Sequence, residues 1–189
     1  MPKQTVKRMS WLQTNTVRIA RLHFVYVFTF AASVIAYDAW KLITSQALLQ
    51  RWSVAVAMLI TTTTIWFIAR NSARTATVYR SLILVLVLMD IMVAGYSVYS
   101  GRGMASRGVA LFAIPIIVSG VILSRSALFA TASLCVGVYS YAAIKYFTDN
   151  PSEGYKVELY GDLFFYGACF FIFSALLWVV VRSVQPRSS

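Results

Sequence analysis

Residues 81–100 read SLILVLVLMDIMVAGYSVYS, twenty positions with a single charged side chain, Asp90. An α-helix of that length rises about 30 Å, the thickness of the hydrocarbon layer of a bilayer. No soluble domain needs so long an apolar run. Five further runs resemble it, at 22–44, 52–69, 107–123, 127–147 and 160–181. The composition agrees, with 59% hydrophobic and 12% charged residues among 189 and a mean hydropathy of +0.71, all far from soluble averages. The expected fold is an all-α integral membrane bundle of six transmembrane helices. Six spans of about 20 residues use most of the chain, so no folded kinase, nuclease or dinucleotide-binding domain fits beside them.

Charge sets the expected orientation. Six spans place both termini on one side, with Lys3, Lys7, Arg8, Arg18, Arg21, Arg70, Arg74, Arg80, Arg125, Arg182 and Arg187. Lys41, Arg51, Arg102, Arg107, Lys145 and Lys156 fall on the other side. The positive-inside bias then puts both termini in the cytoplasm. The net charge of +11 follows from this flanking pattern and forms no basic patch, so nucleic acid is not an expected partner. Residues 1–21 read as a basic cytoplasmic arm and 183–189 as a short cytoplasmic tail. The run after Leu22 is too long for an ordinary signal-peptide core and shows no small-residue cleavage site before Asp38, as in an uncleaved signal anchor. Trp11, Trp40, Trp52, Trp66 and Trp178 stand near span ends, where indoles anchor at the interface.

Depth follows from counting residues inward from basic markers. Asp90 lies ten positions past Arg80, hence about 15 Å deep. Thr61, Thr62, Thr63 and Thr64 precede Arg70 by six to nine, and Pro115 precedes Arg125 by ten. Ser119 and Gly120 follow one turn later. An ionised carboxylate facing lipid is costly, so Asp90 should face the bundle interior, with the threonines as candidate donors. Pro115 lacks an N–H and should release the carbonyl of Leu111, kinking the fourth span. Together these residues suggest a polar pocket or hinge. The structural alternative is hydroxyls that bond back to their own helices and a carboxyl that serves packing alone.

The longest connection, TDNPSEGYKVELYG at 148–161, carries Asp149, Glu153 and Glu158, with Asp162 at its edge. These acids suit a cation or a basic ligand, or simply a solvated loop. Asp38 and Lys41, one turn apart, suit a local ion pair. Ala32-x-x-x-Ala36 and Ser133-x-x-x-Gly137 suit close packing between helices within the chain, or between two copies in a homodimer. Catalytic patterns are lacking: His23, the sole histidine, falls at the cytoplasmic edge, and there is no phosphate-cradling glycine loop or HExxH. Cys135 and Cys169 lie far apart without metal-ligand spacing. The reading is non-enzymatic, without cofactor or metal.

From Pro115 the chain runs PIIVSGVILSRSALFATASLCVGVYSYAAIKYF, and from Tyr155 YKVELYGDLFFYGACFFIFSALLWVVV. This stretch, within 110–181, resembles the second half of the six-span N-terminal sensor regions of bacterial membrane histidine kinases and related signalling proteins. There a proline-containing fourth span ends in a small-x-Arg-small turn, as Ser124-Arg125-Ser126 does here. In that family the last span leads into a phosphotransfer domain, whereas here no histidine follows it. The resemblance therefore implies a sensor or input module of the bacterial inner membrane, acting on a cytoplasmic or membrane protein partner or forming the sensor part of a longer protein. It implies no kinase activity. The alternatives are a component of a small-solute transporter, such as a six-span substrate-binding subunit, and a structural subunit of a larger membrane complex.

Overall fold

The computed structural model describes the backbone of residues 2–71, 75–103, 106–122, 124–153 and 158–184, and the side chains of 11–70, 75–103, 106–122, 124–152 and 160–181. The helices are α1 (Pro2–Ala39), α2 (Ser45–Asn71), α3 (Ala76–Ser100), α4 (Ala113–Ile122), α5 (Arg125–Asp149) and α6 (Glu158–Val184). Short 3-10 helices at Arg107–Phe112 and Pro151–Glu153 precede α4 and α6. No strand occurs among the described residues. Five segments are long and apolar enough to cross a membrane: Trp11–Ala39, Ser45–Arg70, Ala76–Ser100, Arg125–Asp149 and Tyr160–Val181. The chain is a multi-pass helical membrane protein.

It divides into two compact units, residues 1–86 and 87–189, with the division inside α3. In the first unit α1 and α2 form an antiparallel hairpin. The buried positions of α2 are Ala55, Met58, Thr62, Ile65 and Ala69, spaced alternately three and four apart as in a helix-pair seam. On α1 the buried set includes Thr16, Ala20, His23, Val27 and Val34. Small residues recur on both faces because lipid is as apolar as leucine, leaving close packing and hydrogen bonds to hold helices together. The helix α1 runs unbroken from Pro2, a residue suited to the first helical position, through residues 2–21 into the first apolar run.

The α1–α2 turn is closed by backbone geometry. Leu42 N–H donates to Tyr37 O at 2.9 Å and Lys41 N–H to Asp38 O at 2.9 Å, the two bonds of a Schellman stop, with Lys41 left-handed at φ 51°. A backbone bond thus joins Asp38 and Lys41 in place of the side-chain ion pair expected one turn apart on a helix, because Lys41 lies beyond the end of α1. Thr44 caps α2, its Oγ1 accepting from Ala47 N–H at 3.3 Å.

In the second unit α4, α5 and α6 pack on one another. Gly120 of α4 lies where a Cβ would strike Leu177 Cδ2, and Gly95 of α3 where one would meet Val138 Cγ1 at 2.5 Å. Ser133 and Gly137 face outward instead, and nothing lies within 4 Å of a Cβ built on Gly137. Ala32 is likewise exposed. Ala36 is half-buried, so of the two small-residue pairs Ser133 and Gly137 form the one turned wholly away from the interior of its unit.

The fourth apolar segment differs from a plain α-helical span. Its first six residues are 3-10 and its last ten are α-helical. The change falls two residues before Pro115 for a physical reason: proline cannot donate to Leu111 O, and its ring crowds that carbonyl. The tighter upstream turn brings the Ala113 amide to Ala110 O and Leu111 O instead. The carbonyl expected to be released is thereby met.

Candidate functional site

Within the first unit the four threonines point in different directions, as steps of 100° around a helix require. Thr62 is buried, Thr61 half-buried, and Thr63 and Thr64 exposed. Thr64 Oγ1 donates to Ile60 O at 2.8 Å. Thr62 Oγ1 is instead hydrogen-bonded to His23 Nδ1 at 2.7 Å. His23 is 4% exposed and stands edge-on to the Tyr26 ring, 5.5 Å between centroids. Sequence reasoning passed over His23 as an edge residue. The signal was its place on the seam, between Ala20 and Val27.

The same hairpin relates two arginines that flank apolar runs in the sequence. Gln13 Nε2 donates to Ala69 O at 3.0 Å, and His23 pairs with Thr62, so Arg21 is level with about Thr64. Arg21 and Arg70 therefore stand about 9–13 Å apart along the hairpin axis. The Arg18 and Arg21 side chains are exposed and long enough to carry their charge toward headgroups.

Within the second unit Asp90 is 1% exposed. Pro115 and Ser119 are also buried, and Ser119 Oγ donates to Ile116 O at 3.1 Å, the back-bonding that a transmembrane serine adopts. The threonines belong to the first unit, and Asp90, Pro115 and Ser119 to the second.

Of the loop acids, Asp149 lies in the last turn of α5. It accepts from Tyr99 Oη at 2.8 Å and from Lys145 Nζ at 2.7 Å, which joins the C-terminal ends of α3 and α5. Both bonds are exposed, so they fix geometry more than they stabilise. Asp162 is half-buried in the second turn of α6. The side chains of Glu153 and Glu158 lie outside the described residues. Behind this end, Arg102 and Gly103 have φ of 73° and 62°, with Gly103 pressed against the Tyr146 ring at 3.0 Å from its would-be Cβ. Ser106 ties the turn, donating from Oγ to Ser97 O at 2.9 Å and accepting from Gly108 N–H at 3.0 Å.

Deeper in the unit four rings meet. Tyr139 of α5 lies 6.2 Å from Phe112, 5.5 Å from Tyr166 and 6.2 Å from Phe170, and Phe112 lies 5.4 Å from Phe170. Edge-on packing of this kind is favourable beyond its area alone. Cys135, one turn before Tyr139, is buried as a free thiol. Among the described residues no group of three or more His, Cys, Asp or Glu stands together.

The geometry defines a multi-pass helical membrane protein with a buried polar pair, His23 and Thr62, in its first unit. Comparison with known proteins finds no matching family model, no matching curated protein and no matching solved structure.

Proposed function

We propose that this chain is a non-enzymatic, membrane-embedded sensor or interaction module of a bacterial signalling system, resident in the inner membrane and passing a change in its helices to a protein partner. It crosses the bilayer six times with both termini cytoplasmic. In support, the segment 107–122 combines six 3-10 residues at about 2.0 Å rise with ten α-helical residues at about 1.5 Å, together about 27 Å. That nearly matches a hydrocarbon layer of about 30 Å. The excess of Lys and Arg beside the termini supports the orientation.

The observation that carries the reading is the 3-10 to α junction at Phe112–Ala113 beside the buried Pro115. A mid-span change of helix type commonly marks a hinge, and a signal that favours one hydrogen-bonding pattern over the other would shift its population. Buried Asp90 adds a polar group inside the same unit. The test is tryptophan fluorescence of the purified protein during pH and ion titration, with Asp90→Leu and Asp90→Asn. Asp90→Leu should alter the response while Asp90→Asn, which keeps hydrogen bonding, is milder; identical responses from all three proteins would refute the role of Asp90. Affinity purification in mild detergent should recover a signalling partner. Recovery of a transport ATPase with a tightly bound small solute would replace this reading with a transporter subunit.

A further inference from the structure

Tyr139 is 1% exposed and lies ten residues before the end of α5, about 15 Å inside the span. Its Oη makes no hydrogen bond among the described residues. Leaving a buried hydroxyl unmet costs about 1–3 kcal/mol, and inside a membrane bulk water does not relieve it. Phenylalanine would fill the same ring cluster without that cost. Polar side chains of α6 nevertheless lie near Tyr139. Tyr166 of α6 is half-buried with its ring 5.5 Å away, and Asp162 lies one turn before Tyr166, within electrostatic range of Tyr139. Asp162, Tyr166 and Phe170 follow at four-residue steps, so they share the face of α6 that meets α5.

We propose that Tyr139 Oη, Tyr166 Oη and the Asp162 carboxylate hold a bound water between α5 and α6. Three polar partners match the about three hydrogen bonds that a buried water makes. Tyr139 donates to the water, which donates in turn to the carboxylate, while Tyr166 supplies the remaining bond. The chain of bonds connects a charge near the Glu158 end of α6 to the aromatic core of the second unit. A change at Asp162 is therefore felt by Phe112, beside the 3-10 to α junction.

The experiment is radiolytic hydroxyl labelling of the full chain in lipid nanodiscs, read residue by residue by mass spectrometry, because buried side chains are labelled when a bound water lies against them. Tyr139 should be labelled despite its burial, and the labelling should be lost in Asp162→Leu. A Tyr139 that stays unlabelled while exposed Tyr141 reacts would overturn the proposal, including the case in which Tyr139 and Tyr166 bond directly. Thermal unfolding gives a second readout: Tyr139→Phe should lower the midpoint. A raised midpoint, the result for a hydroxyl with no partner, would also overturn it.

Discussion

His23 Nδ1 and Thr62 Oγ1, thirty-nine residues apart in sequence, are 2.7 Å apart and buried between α1 and α2. The pair sits on the hairpin seam, where a polar contact sets register as well as stability. Thr62→Val keeps the shape and removes the hydroxyl. It should lower stability by about 1 kcal/mol, whereas Thr63→Val, on an exposed neighbour, should stay within about 0.5 kcal/mol of the parent. Denaturant unfolding in detergent checks this, and equal effects at the two positions would show that the bond contributes nothing.

Lys41 holds a left-handed backbone conformation at the end of α1, with φ 51°. Glycine adopts that region without the clash between Cβ and carbonyl that an L-residue meets. Lys41→Gly should therefore raise stability by about 1 kcal/mol, observed as a higher unfolding midpoint at unchanged helical content. A loss would mean that the lysine side chain makes contributions beyond the turn.

Gly120 and Gly137 should respond to alanine with opposite sign. A Cβ at Gly137 meets nothing within 4 Å, so Gly137→Ala should gain about 0.5–1 kcal/mol from reduced unfolded-chain freedom. At Gly120 the new methyl collides with Leu177, and overpacking should remove about 1–3 kcal/mol. A destabilising Gly137→Ala would instead indicate that another helix approaches this outward face, which self-association measurements would then detect.

Ser124 caps α5, its Oγ accepting from Ala127 N–H at 3.3 Å and contacting Ser126 Oγ at 2.9 Å. Ser124→Ala should cost about 1 kcal/mol, with Ser124→Asp retaining most of the cap. Amide hydrogen exchange over residues 125–128 should show faster exchange in the alanine variant only.

Several features of the fold were legible because they follow from local chemistry. The run at 81–100 lies wholly within α3, which starts earlier at Ala76, since so long an apolar segment in a bilayer can satisfy its backbone only as a helix. Asp90 is buried as its charge requires. At the tight connection around 124–126, Ser124 caps α5. Pro115 disturbs the fourth segment, though upstream of itself and with Leu111 O met.

Other features depend on which residues of different helices meet. Arg21 and Arg70 both flank apolar runs in the sequence, and the pairing of Gln13 with Ala69 shows that they are offset along the hairpin. The threonine run looks like one polar cluster in the sequence, but helical rotation turns only Thr62 fully inward. Ser133 and Gly137 fit close packing as a pattern, yet both are turned away from the interior of their unit. Tyr139 carries no sequence motif at all, and its hydroxyl becomes notable only once Phe112, Tyr166 and Phe170 close around the ring.

The amino-acid order alone determined that the backbone would be helical and lie within a membrane, because hydrogen bonding and transfer from water act on each segment separately. Only the tertiary arrangement decided that His23 would face Thr62, that Asp149 would accept from Tyr99, and that Tyr139 would be enclosed. Those outcomes depend on helix register and rotation. Both are set by packing between distant segments, a quantity that no single stretch of sequence contains.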